Sequence, residues 1–139
     1  LSLAQISAMG AVQAAGLGTD DIALMSTDKI AALSSSAISG LSTQVIAGLT
    51  TEQAEVLKPG QVTALTSAQV AALEQEDLAT FSAEDIAAFS ASGIAGLSTD
   101  DISHLSSTQL GALMDSQMGA MNSDQVAAVI AAYLGGGGV

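Results

Sequence analysis

The sequence predicts an all-α fold: a solenoid of short capped helices, with one helix in each eight-residue repeat. Two apolar ladders step by eight residues from Ile22 to Val126 and from Met25 to Val129, without an insertion. Thirteen of the fourteen residues in the first ladder are large and apolar, and so are all fourteen in the second. The third observation is a helix start signal that recurs in most of these octads.

The start signal is a short polar side chain followed by an acceptor. In most octads a Ser or Thr comes directly after the second ladder, and in many an Asp or Gln follows three positions later. This is the spacing of a capping box, in which the two side chains accept hydrogen bonds from each other's backbone N–H groups. The apolar residues on either side of the cap, such as Leu97 and Ile102, occupy the two sites of a hydrophobic staple. Each octad therefore predicts one short helix.

One continuous helix does not suit this pattern. Eight residues at about 100° each advance about 80° beyond two turns, so an apolar stripe would drift around the helix. In a strand the two ladders, three residues apart, would face opposite sides, and Gln, Ala and Asp are poor strand formers. A β-solenoid and a disordered chain are the remaining alternatives.

A single octad cannot fold alone. Burying its two anchors contributes roughly 3 to 6 kcal/mol, whereas fixing eight backbone residues costs on the order of 8 to 16 kcal/mol. Octads must therefore bury their anchors against neighbouring octads, which is how a solenoid is stabilised.

A second period suggests how many octads form one coil. Acidic residues recur in every third octad, at Asp28, Glu52, Glu76, Asp100 and Asp124. The octads of this class hold nine of the fourteen acids, and they carry Val56, Thr80 and His104 where the other octads mostly have Gly or Ala. We therefore predict three octads per coil and one acidic edge along the solenoid.

The ends of the predicted single domain, 1–134, differ from its middle. Residues 1–18 keep the apolar ladder but mostly lose the caps, so they are predicted to be degenerate repeats. Residues 122–134 predict one longer helix that covers the C-terminal end, and 135–139 form a Gly-rich tail or linker. Pro59 falls at the first helical position of an octad without a hydroxyl cap, where proline is tolerated.

Composition excludes several partners. The formal net charge of −12 disfavours nucleic acid and anionic lipid. No apolar run approaches the roughly 18 to 20 residues of a membrane span, so no membrane insertion is expected. The absence of cysteine excludes disulfides and thiolate metal sites. No signal peptide is visible after Leu1, which leaves a mature product, a fragment or the cargo of a secretion machine as alternatives.

No residue is assigned a catalytic, cofactor-binding or metal-binding role. His104 has Ser and Asp neighbours, but these belong to the repeat pattern. Haem ligation by His104, Tyr133 or a Met is not expected, because a haem pocket needs aromatic side chains and depth. The Met residues at 25, 118 and 121 lie on the ladders and are predicted core fillers.

Paired acids offer one route to a metal. The pairs are Asp20-Asp21, Glu76-Asp77, Glu84-Asp85 and Asp100-Asp101. Carboxylate oxygens suit Ca²⁺, so weak calcium binding is an alternative. The favoured interpretation is that these acids complement the helix dipoles in the first turns.

The octads resemble a known type of repeat. The unit Leu65-Thr66-Ser67-Ala68-Gln69-Val70-Ala71-Ala72 is similar to the Leu-Thr-Thr-x-Gln-Ile-Ala-Ala octapeptides of very large bacterial secreted proteins, often labelled adhesins or haem-utilisation proteins. The resemblance covers 22–129 and implies an extracellular structural segment, while the haem label finds no support in these residues. Gly93 stands in place of the acceptor and Met114 in place of the cap, so each of these two units lacks half of the start signal.

These observations predict a non-catalytic scaffold or spacer in an adhesin-like bacterial extracellular or cell-surface protein. One alternative is a subunit of a self-assembling extracellular filament, since a solenoid has two open ends. Another is a weak calcium-binding interaction module. The expected partners are other proteins or further copies of the chain.

Overall fold

The computed structural model describes the backbone of residues 2–137 and the side chains of residues 2–134. Within that part of the chain the secondary structure is helical, in sixteen α-helices. They are α1 Leu3–Ser7, α2 Ala11–Ala15, α3 Thr19–Ala23, α4 Thr27–Ala32, α5 Ser35–Gly40, α6 Thr43–Ala47, α7 Thr51–Glu55, α8 Pro59–Thr63, α9 Ser67–Ala72, α10 Gln75–Ala79, α11 Ala83–Ala88, α12 Ala91–Ile94, α13 Thr99–Ser103, α14 Ser107–Gly111, α15 Asp115–Gly119 and α16 Ser123–Gly137. The predicted all-α solenoid of short helices is confirmed.

Every helix starts one octad after the helix before it. This register begins at Leu3, so it extends two helices further toward the N-terminus than the uninterrupted ladders that start at Ile22. The anchors of the early octads, Ile6 and Ala14, are buried like the later ones. The described N-terminal stretch, 2–18, therefore has the same octad geometry, with Ser2 as the only hydroxyl cap among the starts of α1, α2 and α3.

Packing follows a period of three helices. The first helices pack as α1 on α4, α2 on α5 and α3 on α6, and the same spacing recurs to α12 on α15 and α13 on α16, with looser contact between α10 and α13. One coil is therefore three octads, and the described chain contains five coils followed by α16. The prediction of three octads per coil is confirmed, and the acid-rich octads α4, α7, α10, α13 and α16 belong to one stack.

The core is a single apolar column inside the coils. The first ladder lies at its centre, and Ile30, Val62, Val70 and Ile86 are fully buried. The second ladder lies at the turns between helices and is also mostly buried. The rings of Phe81 and Phe89 lie there with centroids 5.8 Å apart. Because each anchor is covered by the coils before and after it, burial depends on stacking, as expected for a solenoid.

Helices form even where half of the start signal is missing. In α12 the Ser90 hydroxyl accepts a hydrogen bond from the Gly93 N–H, although Gly93 cannot complete the box. Before α15 the Met114 N–H donates to Gln117 Oε1, although Met114 offers no acceptor. Pro59 occupies the first position of α8, as predicted. One half of the box, together with stacking, is sufficient to start a helix here.

Two stacked pairs of helices approach so closely that only glycine fits. A Cβ added to Gly40 would overlap the backbone of Ala11, and one added to Gly96 would overlap the carbonyl of Ser67. These contacts join α5 to α2 and the turn after α12 to α9. In contrast, a Cβ added to Gly111 would meet nothing within 4 Å.

The last helix is longer than the others. It has 15 residues, packs on both α13 and α14, and ends at Gly137, beyond the predicted boundary at Leu134. The predicted tail therefore lies partly in this helix, while Leu1 and residues 138–139 lie outside the described part of the chain. The division of the chain into solenoid, terminal cap and tail stays a prediction. No helix within 2–137 has both the length and the apolarity to cross a membrane.

Candidate functional site

A polar arrangement recurs at the starts of the helices. We call it a corner: the turn from one helix to the next, together with the cap residue and the third residue of the helix that follows. Before α9 the Gln69 N–H donates to the Thr66 hydroxyl at 3.2 Å, and the Thr66 N–H donates to Gln69 Oε1 at 2.9 Å. This is the predicted capping box. Both donors would otherwise lack partners at the helix start.

The Gln at the third helical position makes a second connection. Gln69 Nε2 donates to the carbonyl oxygens of Ile38 at 2.7 Å and Leu41 at 2.8 Å, in the corner one coil earlier. Five further Gln side chains donate in the same way to residues 31 and 28 positions before them: Gln53, Gln61, Gln109, Gln117 and Gln125. All six are buried. Each of these corners therefore bonds both to itself and to the coil before it.

We did not predict these bonds between coils, although the sequence contains a signal for them. The third helical position holds Gln in eight octads and Asp in four, and it never holds Glu. Glu suits a capping box at least as well as Asp does, but it has no N–H to donate. The preference for Gln over Glu therefore indicates that a donor is needed.

Aspartate at this position behaves differently. The carboxylates of Asp85 and Asp101 accept hydrogen bonds from the N–H groups of Ser82 at 3.2 Å and Ser98 at 3.1 Å. Asp77 is 2% exposed, and its Oδ2 has no hydrogen-bond partner. Burial, together with the charges of Glu74 and Glu76, raises the pKa of Asp77 to about 6.

The acidic edge is a solvent-facing surface. Its exposed carboxylates come from α4, α7, α10, α13 and α16 and from the corner before α10: Asp28, Glu52, Glu55, Glu74, Glu76, Asp100 and Asp124. Lys29 on α4 is the only basic side chain within these helices, as far as the structure describes them. The surface therefore repels polyanions such as nucleic acid.

His104 and Tyr133 lie at separate surface positions. The exposed His104 ring has Nδ1 2.8 Å from the Asp100 carbonyl oxygen and 3.3 Å from the Ser103 hydroxyl. The Asp101 carboxylate is bonded to the Ser98 N–H. Tyr133 is 55% exposed and lines an apolar groove between α16 and the last coil.

The paired acids do not share one site. In Glu76-Asp77, Glu84-Asp85 and Asp100-Asp101 the second residue is buried in the corner and the first is exposed, and Asp20-Asp21 are both exposed. Among the described residues, no group of three or more His, Cys, Asp or Glu side chains is arranged to hold a metal ion. Calcium binding stays a prediction.

The Met residues on the ladders lie against the core. Met121 is buried in it, and Met25 and Met118 are partly buried against it. Met114, at the cap position, is 55% exposed.

Comparisons with known proteins identify the repeat. The model of the ALTTAQ repeat matches residues 14–51, 30–67, 70–107 and 94–129, which together cover more than half of the chain. The four matches start at Ala14, Ile30, Val70 and Ile94, all at the same octad position, that of the central buried anchor. No curated protein and no solved structure matches the chain. The chain belongs to the ALTTAQ repeat family.

Proposed function

We propose that the chain is a non-catalytic structural segment, a scaffold or spacer that holds other parts of a protein apart. The observation that carries this proposal is the set of buried Gln bonds between coils, which three successive corners make at Gln53, Gln61 and Gln69 and three more at Gln109, Gln117 and Gln125. Neutral, buried hydrogen bonds at these corners oppose sliding and separation of the coils. A rod built this way keeps its length, which is the property that a spacer needs.

We further propose that the parent protein is a bacterial extracellular or cell-surface protein of the adhesin type. Three features support this location: the resemblance to octapeptides of large secreted proteins, the absence of cysteine, and a chain with only Lys29 and Lys58 against fourteen acids. The acidic edge would keep an Ala/Leu-rich rod soluble. It would also keep neighbouring rods apart through charge repulsion.

The spacer function can be tested by adding one coil. Duplicating residues 51–74 keeps the order of the three octad classes, so the rod should lengthen by about 8 to 10 Å, the distance between packed helices. Small-angle scattering would measure the length. Duplicating only residues 51–62 is the control, because that insertion breaks the octad register. A one-coil duplication that unfolds the chain, or leaves its length unchanged, would count against a spacer.

The location needs a separate experiment. The parent protein, tagged within the repeat, should be found in the medium or on intact cells, where added protease removes the tag. A tag that is protected in intact cells and recovered in the cytosol would contradict the extracellular proposal.

The second candidate is a filament subunit, and the exposed apolar residues at both ends favour it. In the first coil Val12 is 90% exposed and Leu24 is 88% exposed, and on α16 Ile130 and Leu134 are 52% and 60% exposed. End-to-end contact between copies would cover these side chains. Filament formation predicts light scattering that rises with concentration and fibres in negative stain. Val12→Glu together with Leu24→Glu should abolish both, whereas a chain that stays monomeric at high concentration would exclude this candidate.

A further inference from the structure

The corner before α10 is the weakest of the described interior corners that carry a polar third residue. Its cap residue is Glu74, whose side chain makes no capping bond. Its third helical residue is Asp77, whose carboxylate does not accept from the Glu74 N–H as Asp85 and Asp101 do from their caps. The Thr80 hydroxyl, which donates to the Asp77 carbonyl oxygen, lies at the C-terminal end of α10 and does not cap its start.

The register identifies two backbone carbonyls of the preceding coil as the counterparts of those that the buried Gln side chains reach. Ile46 and Leu49 precede Asp77 by the same separations over which Gln69 and the other five buried Gln side chains donate to carbonyl oxygens. An ionised carboxylate can only accept, so it cannot make either bond. A protonated carboxyl has one O–H to donate. When one proton is added, the Asp77 carboxyl therefore changes from a group that can only accept into one that can donate to these carbonyl oxygens.

We propose that Asp77 is a proton-dependent latch that ties the corner before α10 to the corner before α7 when its carboxyl takes up a proton from solvent. The O–H then donates to the carbonyl oxygen of Ile46 or Leu49, as a Gln amide does at other corners. In the ionised form the latch is open. The joint between α7 and α10 then has no side-chain hydrogen bond between the coils.

The titratable side chains on the elements around Asp77 are acidic, and the charges of Glu74 and Glu76 favour its protonated form. Its own helix and corner contribute Glu76 and Glu74. The stacked helix α7 carries Glu52 and Glu55, and α13, one coil further on, carries Asp100 and Asp101. The adjacent helix α11 carries Glu84 and Asp85, and α6 and α9 carry no titratable side chain. Lys29, Lys58 and His104 are the only basic side chains of the chain, and none of them lies within α6, α7, α9 or α10.

The direction of the pH effect follows from linkage. The pKa of Asp77 in the folded chain is about 6, against an ordinary value of 3.8. A raised pKa means that the fold prefers the protonated form, so the latch contributes fully below the ordinary value and is lost as the pH rises through about 6. Because a solenoid is stabilised by contacts between neighbours, one open joint weakens the whole array.

The test compares the intact chain with Asp77→Asn, whose amide donates at every pH. Between about pH 4.5 and pH 7.5, the unfolding equilibrium constant of the wild type should rise about 10- to 100-fold more than that of D77N. Asp101→Asn is the matched control, because it removes a carboxylate from the same octad position that is already bonded to a cap N–H. D101N should keep the wild-type difference between the two pH values. Urea denaturation monitored by circular dichroism measures all three.

Two further measurements complete the test. Asp77→Gln restores the residue that donates between coils at six other corners, so its stability should depend on pH as little as that of D77N. Hydrogen exchange, corrected for its intrinsic pH dependence, should show faster opening of 74–80 at high pH in the wild type alone. Parallel pH profiles for wild type, D77N and D77Q would overturn the latch. Stabilisation of the wild type by millimolar Ca²⁺ at neutral pH, lost in D77N, would also overturn it, because the carboxylate would then take a metal ion.

Discussion

Gln69 Nε2 lies 2.7 Å from the carbonyl oxygen of Ile38, a residue 31 positions earlier in the chain and one coil away. The same side chain accepts a hydrogen bond from the cap of its own helix through Oε1. One residue therefore starts a helix and ties it to the coil before it. This double role explains why Gln recurs at the corners and Glu does not.

Replacing Gln69 by Glu should separate these two roles. The new carboxylate would keep the capping acceptor but lose both donors and place a charge against two carbonyls, so Gln69→Glu should lower the free energy of unfolding by about 2 to 4 kcal/mol. Gln13→Glu is the control, because Gln13 is exposed and bonds only to its own cap. That variant should change stability by less than about 0.5 kcal/mol. Equal losses in urea denaturation would show that the bonds between coils contribute nothing.

Supplying the missing amide should have the opposite effect. Asp101 has the same sequence separations from Val70 and Leu73 as Gln69 has from Ile38 and Leu41, so Asp101→Gln would add two donors opposite the carbonyl oxygens of Val70 and Leu73. We expect a gain of about 0.5 to 1.5 kcal/mol.

The control for this substitution is Asp21→Gln in the first described coil, where the side chain is exposed and has no earlier described coil to reach. A melting temperature that rises equally in both variants would point to the removed charge as the cause.

The close contact of Gly96 with Ser67 makes a different prediction. A Cβ there would overlap the Ser67 carbonyl, so Gly96→Ala must push α12 away from α9 and should cost about 1 to 3 kcal/mol. Gly111→Ala is matched in chemistry but meets open space. It should be neutral or stabilise by up to about 1 kcal/mol, because alanine is the better helix former. If both variants melt at the same temperature, the two helices do not approach as described.

An absent cap can be restored at α15. Met114 is 55% exposed and accepts no bond from the helix start. Met114→Ser would add an acceptor for the Gln117 N–H and should stabilise the chain by about 0.5 to 1.5 kcal/mol. Asp115→Ser, one residue later and outside the cap, should produce a smaller change. Thermal unfolding of the two variants side by side decides between them, and a destabilised Met114→Ser would mean that the Met side chain contributes more by packing than a cap does.

Several features of the fold could be predicted because they are local. The Ser and Thr caps predicted the starts of most helices and Pro59 the first position of α8, since caps and proline act within a few residues. Ile102 and Leu97 were predicted as anchors from their spacing alone, and both are buried. The recurrence of acids in every third octad predicted three octads per coil, because residues that stack along one edge of a solenoid are all exposed to solvent.

Other features could not be predicted from spacing within an octad. The Gln–carbonyl bonds connect residues 31 and 28 positions apart, and only the stacking of coils brings such residues together. The lack of a hydrogen-bond partner for Asp77 Oδ2 could not be predicted either. Asp101 holds the same octad position, and its carboxylate accepts a hydrogen bond from the N–H of its cap residue. The start of α15 at a Met cap also depends on neighbours, which supply the burial that the missing bond does not.

The sequence by itself determined the unit: where each helix begins, which two side chains it buries, and that three units share a coil, because caps and apolar periodicity act over short distances. The tertiary structure decided how the units are joined. A Gln amide bonds to the coil before it, the Asp77 carboxylate lacks a partner and only glycine fits at position 96, and each of these depends on the backbone atoms that lie opposite. The distance from a side chain to those atoms is set by how one coil stacks on the next.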